Sequence, residues 1–123
     1  MNYKTFEDMP VWKKAMELAI KVFNLTEKLP KKEDYGLTSQ IRRSALSVSA
    51  NISEGFGRKH TKDKLNFYYD ARGSLTETKS HFIYGKNVGY VSSEEFENSK
   101  NLIDDIWKEL NSLINSLKIS SQS

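Results

Sequence analysis

The sequence predicts an all-α protein, an antiparallel up-and-down four-helix bundle, and three observations lead there. Only two prolines and six glycines interrupt the 123 residues, so long uninterrupted segments remain. Four of these segments carry apolar residues at three- and four-residue steps, the period of one helix face, and no stretch alternates as a half-buried strand would. The connections between them are short, and helices joined by short turns pack as antiparallel neighbours. The length suits one domain, residues 1–119, which buries roughly two thirds of its unfolded surface and needs no staples. The polar end "SSQS", residues 120–123, reads as a frayed tail.

In the first segment Val11, Ala15, Leu18, Val22, Leu25 and Leu29 form a heptad-like stripe, widened by Trp12, Ala19 and Phe23. Asp8 and Pro10 mark its start and Pro30 its stop, because proline fits a first turn but cannot continue a helix. The second segment begins near Thr38, the expected N-cap, and repeats at Leu37, Ile41, Ala45, Val48 and Ile52. Gly55 and Gly57 end it and suggest a left-handed cap. The third runs from Thr61 to about Val88, with Gly89 after it. Tyr68, Leu75 and Phe82 alternate there with the small Ala71, Thr78 and Gly85, as on an interdigitating seam. In the fourth, Ser92 and Glu95 form a capping box. Phe96, Ile103, Ile106, Leu110, Leu113 and Leu117 make its stripe, flanked by Trp107 and Ile114.

Composition excludes several functions. With no cysteine there are no disulfides or thiolate metal sites, which suits a reducing, cytoplasmic location. The start, "MNYKTFEDMPVW", has no apolar signal region, and no apolar run approaches the roughly 18 residues of a membrane span, so no membrane role is expected. The net charge of +3 is unevenly spread: residues 1–36 carry +1, residues 37–88 carry +5 and residues 89–123 carry −3. A basic middle and an acidic end can steer a polyanion, or let unlike faces of neighbouring subunits meet.

The stretch "SALSVSANIS", residues 44–53, has no charge at all, although the chain is 28 % charged. Ile41, Ala45, Val48 and Ile52 share the core face, so the opposite face should carry Lys and Glu, as Lys14, Glu17, Lys21 and Lys28 do on the first helix. It carries Leu46, Ser47, Ala50 and Ser53 instead, and serine costs roughly 0.5 kcal/mol against alanine in a helix. Small uncharged side chains let a second backbone approach. The stretch is therefore read as covered on both sides, with Leu46, Ser47, Ser49, Ala50 and Ser53 as the candidate subunit interface of a homo-oligomer. The plainer alternative is a solvated helix with an uncharged outer face.

The basic residues are the functional candidates. Arg58, Lys59, Lys62 and Lys64, with His60 among them, surround the start of the third helix, and Arg42 and Arg43 lie near the start of the second. Positive charge at a helix N-terminus opposes the macrodipole, and phosphate binding would explain it. Arg42, Arg43, Arg58, Lys59, Lys62 and Lys64 are thus the candidate RNA or DNA contacts, with Phe56, Phe67 and Tyr69 nearby as stacking platforms. Against this, aromatics at helical spacing usually pack in cores and charge runs are usually solvated. A protein partner is the alternative. Asn51, Glu54 and Arg58 read as a polar clamp on the turn after the second helix, and the Gly-x-Gly of "EGFGR" as a cap, since no Lys-Ser/Thr follows to make a phosphate loop. A di-iron site needs two Glu-x-x-His motifs, whereas Glu77 and His81 are four apart. With no catalytic set, metal site or cofactor motif, the sequence predicts a non-enzyme.

Beyond these readings of single residues, the chain from about Phe6 to Leu117 resembles the 23S rRNA-intervening-sequence proteins. The resemblance is carried by Tyr35-Gly36-Leu37, Gln40, Arg42-Arg43, Ala50-Asn51-Ile52, Glu54-Gly55, Gly57-Arg58, Gly73-Ser74-Leu75 and Gly89-Tyr90. The chain departs from the usual pattern at Ser49, where proline is common, and at Thr78 and Gly85. The resemblance implies a left-handed four-helix bundle that assembles into a closed ring, commonly a pentamer. A similar fold occurs in the accessory proteins of diversity-generating retroelements, which meet nucleic acid and a reverse transcriptase. The family name records where the genes lie and does not imply rRNA binding.

Overall fold

The computed structural model describes residues 3–122. Four helices follow one another: α1 (Pro10–Thr26), α2 (Leu37–Phe56), α3 (Thr61–Asn87) and α4 (Ser93–Gln122). Single 3₁₀ turns at Phe6–Asp8 and Lys31–Glu33 precede α1 and α2. Each helix packs on its two neighbours around a square, while the diagonal pairs stay apart. No strand occurs among the described residues, and no helix is long and apolar enough to cross a membrane. The core is the expected one: Val11, Ala15, Leu18 and Val22 of α1 meet Ile41, Ala45, Val48 and Ile52 of α2, and Ile103, Ile106 and Leu110 of α4 close it.

The large–small seam of α3 is entirely buried, as Tyr68, Ala71, Leu75, Thr78, Phe82 and Gly85. Its short side chains let α2 come close. Thr78 Oγ1 donates to Ser44 Oγ at 2.9 Å and also reaches the Ser74 carbonyl at 2.8 Å. Ser44 in turn donates to the Ile41 carbonyl, so this buried polar pair is satisfied from both sides. Gly55 sits at the tightest approach, where an added Cβ would lie 2.7 Å from Cε1 of Tyr68 and 3.1 Å from Cβ of Phe67. Gly55→Ala is expected to lower stability by a net of about 1 kcal/mol in urea unfolding, because overpacking outweighs the helix-propensity gain. A gain instead would mean that the Tyr68 ring swings aside freely.

Helix ends differ in part from the sequence expectation. α2 starts one residue before Thr38, which is buried with an unpartnered hydroxyl and caps nothing. The cap comes from Glu33 in the preceding turn: its Oε1 accepts the Leu37 N–H at 3.2 Å, and its Oε2 accepts the Tyr90 hydroxyl at 2.9 Å. One carboxylate thus ties the start of α2 to the α3–α4 turn. Gly57 is right-handed (φ −75°), so α2 does not end in a left-handed cap. That conformation occurs at Gly89 (φ 87°), where Tyr90 N–H reaches the Gly85 carbonyl and Gly89 N–H the Lys86 carbonyl. This is a Schellman close of α3. The Ser92–Glu95 capping box forms in both directions, at 3.0 and 3.1 Å. Its hydrogen bonds hold the Glu95 carboxyl below its ordinary pKa.

Three elements of the predicted stripes shift. α1 stops at Thr26, whose hydroxyl donates to the Val22 carbonyl at 2.7 Å, so Leu29 leaves the helical register and is only half-buried. Phe23 stays largely exposed on the side of α1 nearest α2. Near its end α4 buries Ile114 fully, while Leu113 and Leu117 are half-covered. The α4 helix also continues through Ser120 to Gln122.

Candidate nucleic-acid interface and subunit face

The six candidate basic residues fall into two separate groups. Arg42 and Arg58 are sixteen residues apart on and just after α2, which at 1.5 Å per residue is roughly 24 Å along the bundle. Arg42 and Arg43 are engaged within the chain. Arg42 Nε donates to Thr26 Oγ1 at 2.7 Å, its terminal nitrogen pairs with Glu27 at 3.1 Å, and its guanidinium lies 4.7 Å over the Phe23 ring. Arg43 pairs with Glu77 at 2.7 Å, and Glu77 also lies 3.4 Å from His81 Nε2. These two arginines bind α2 to α1 and to α3, and they do not join the cluster at the α2–α3 turn.

Lys64 has a structural task as well. Its ammonium donates to the carbonyls of Gly55 at 3.3 Å and Phe56 at 2.8 Å at the end of α2, the first of which also accepts the Arg58 N–H, and burial lowers its pKa. It replaces the cap that the sequence assigns to glycine. Lys64→Met is expected to cost about 1–2 kcal/mol in chemical denaturation, since two bonds from a charged donor disappear. An unchanged unfolding midpoint would contradict that role.

The remaining cluster is Arg58, Lys59 and Lys62, all exposed, with His60 between them. Arg58 reaches Glu54 at 3.7 Å, a loose surface pair of little worth, and its guanidinium lies 4.7 Å over the Phe67 ring. Lys59 and Lys62 have no partner among the described residues. The expected clamp forms only between Glu54 and Arg58: the Asn51 amide turns back to the Ser47 carbonyl at 2.9 Å. Of the stacking candidates, Phe67 lies under Arg58 and Tyr69 under Arg72, while Phe56 packs against the core.

The uncharged stretch of α2 divides likewise. Ser44, Ala45, Val48, Ser49 and Ile52 are buried within the chain itself. Ser49, only 2 % exposed, therefore leaves the candidate subunit face: at about 100° per residue it turns toward α1, and its hydroxyl bonds the Leu46 carbonyl. Leu46 and Ala50 stay exposed, with Ser47 and Ser53 half-covered. α1 adds what the sequence reading missed. Ile20 (54 % exposed) and Phe23 (51 %) stand out on α1, Phe23 under the Arg42 guanidinium of α2, and Leu46 (57 %) follows one turn after Arg42. Met16 and Ala19 of α1 are half-exposed. The signal was the lack of any charge at Trp12, Met16, Ala19, Ile20 and Phe23, one flank of a helix whose other flank carries Lys14, Glu17 and Lys21.

Among the described residues no three His, Asp or Glu side chains converge as metal ligands. The comparisons with known proteins agree with this architecture. A solved structure from Bacteroides thetaiotaomicron, described as a protein of unknown function from the S23 ribosomal protein family, superposes with a TM-score of 0.79 at 28 % identity. The match covers 85 % of this chain and 97 % of that one. No curated protein matches the chain. The profile of the 23S rRNA-intervening sequence proteins matches residues 7–112, nearly the whole bundle. The chain belongs to the 23S rRNA-intervening sequence protein family.

Proposed function

We propose that the protein is a non-enzymatic scaffold that assembles with copies of itself into a closed ring and offers its α2–α3 turns to a polyanion. The observation that carries the assembly is the exposure of the large apolar Ile20 and Phe23 on α1 and Leu46 on α2, with Ala50 exposed one turn on, which a solvated surface would not select. A ring built from one kind of contact needs two different patches on each subunit. The second is the exposed apolar group Ile83, Tyr84 and Val88 near the end of α3. Gly73 adds to this reading, because it is an exposed mid-helix glycine where an added Cβ would meet nothing within 4 Å. Its cost of about 1 kcal/mol against alanine has no return inside the chain. The family resemblance points to five subunits.

The polyanion reading rests on Lys59 and Lys62, exposed and unpaired beside Arg58 at the start of α3. A ring repeats this group at every subunit and multiplies contacts that are weak singly. The test is fluorescence anisotropy with single-stranded RNA and with duplex DNA over a salt series. Binding should weaken steeply with salt, and Lys59→Glu with Lys62→Glu should flatten the slope by about 1–2 units. Absent or salt-insensitive binding favours the alternative, an interaction scaffold for a protein partner, such as a retroelement-accessory ring, with no nucleic-acid contact.

A further inference from the structure

At the end of the bundle that holds the start of α1 and the α2–α3 turn, a cavity of about 590 Å³ opens between α1, α3 and the last turns of α4. This is the size of pockets that hold small organic ligands. Its walls are apolar, formed by Met9, Val11, Phe56, Leu113 and Leu117. Leu113 and Leu117, half-buried at the edge of the core, also face this space.

The polar groups in the cavity are two ammonium groups, the hydroxyls of Tyr3, Tyr68, Ser112 and Ser116, and one carboxylate. Lys64 and Tyr68 stand one turn apart on α3 and both line it. Tyr68 is only 2 % exposed as a residue, lines the cavity, and makes no hydrogen bond to a described residue. Burial also pushes its pKa up to about 12, so it stays a donor at any physiological pH. Lys64 spends two of its three N–H groups on the α2 carbonyls and keeps one. Lys108 adds a second ammonium at the lining. The one acid there, Glu109, forms an ion pair with Lys14 at 2.7 Å, and its buried Oε2 accepts no well-directed hydrogen bond. The cavity thus joins apolar walls to two ammonium groups and the Tyr68 hydroxyl.

We propose that this cavity binds a small amphipathic organic acid, with its carboxylate toward Tyr68, Lys64 and Lys108 and its apolar body against Leu113, Leu117 and Phe56. Each carboxylate oxygen accepts, which matches the donors present, and an alkyl or aromatic body matches the walls. A polyphosphate would leave most of its oxygens against hydrocarbon.

Titration calorimetry of the whole chain with octanoate, octan-1-ol and octylamine tests this. Octanoate should bind once per chain, at least 10-fold tighter than the alcohol, and the amine should not bind. Tyr68→Phe should weaken octanoate about 10-fold without lowering the unfolding midpoint, because the free chain makes no bond through that hydroxyl. Leu113→Trp should fill the space and abolish binding while the helical circular dichroism is kept. Leu46→Lys, on the outer α1–α2 face, should leave binding unchanged. No saturable binding of octanoate would overturn the proposal. So would equal affinity for the alcohol, or binding that survives both Tyr68→Phe and Leu113→Trp.

Discussion

Phe82→Ala should cost about 3–5 kcal/mol, the largest single loss of stability expected in this chain. Phe82 is fully buried in the α3 seam, between the small Thr78 and Gly85. Its neighbours cannot move in to fill the space. Gly85 has no side chain, and the position of its absent Cβ already lies 2.8 Å from Val91 Cγ2, so the backbone of α3 is held against the start of α4. Thr78 is fixed by its two hydrogen bonds to Ser44 and Ser74. A cavity therefore remains, and the transfer and cavity costs add. Against a total stability of roughly 5–15 kcal/mol for a domain, that is a large share. Urea unfolding followed at 222 nm, at matched protein concentration, should show a lower midpoint with an unchanged slope. A loss below about 1 kcal/mol would mean that the seam is not the core of the bundle.

The same seam shows why much of the fold was legible. Large and small residues alternate over the whole of α3, so one face could face only another helix, and every residue of the pattern is buried. Local signals with local causes also read correctly: Pro10 at the start of α1, Ser92 with Glu95 before α4, and Gly89 after α3. What failed depends on distant partners. The cap of α2 is a carboxylate in another turn that also holds Tyr90, so Thr38 was the nearest candidate and the wrong one. Lys64 looked like one more surface cation because nothing in its neighbourhood of the sequence says that it folds back on Gly55 and Phe56. Arg42 and Arg43 share a composition with the turn cluster but sit at the other end of α2, each held by its own acid. Phe23 widened a stripe on paper, and only the placement of α2 reveals which flank of that stripe stays uncovered.

Ile20→Lys combined with Leu46→Lys should abolish self-association while leaving the monomer folded. Both side chains are more than half exposed, so neither change opens a cavity in the chain itself. In the proposed ring the same positions would be covered. Burying Ile20, Phe23 and Leu46 contributes on the order of 1 kcal/mol each, and an ammonium placed there without a partner costs several kcal/mol more. Each subunit of a ring makes two contacts, so the penalty is repeated at every interface. The helical circular dichroism and the cooperativity of unfolding should be retained. Loss of helicity on double substitution would show that this face is part of the fold and not of an interface.

The mass of the protein in solution tests the ring most directly. Multi-angle light scattering over a tenfold concentration range should give one species at a fixed whole-number multiple of 14.2 kDa, and 14.2 kDa for the double-lysine variant. A parent chain that stays at 14.2 kDa across that range would contradict the ring.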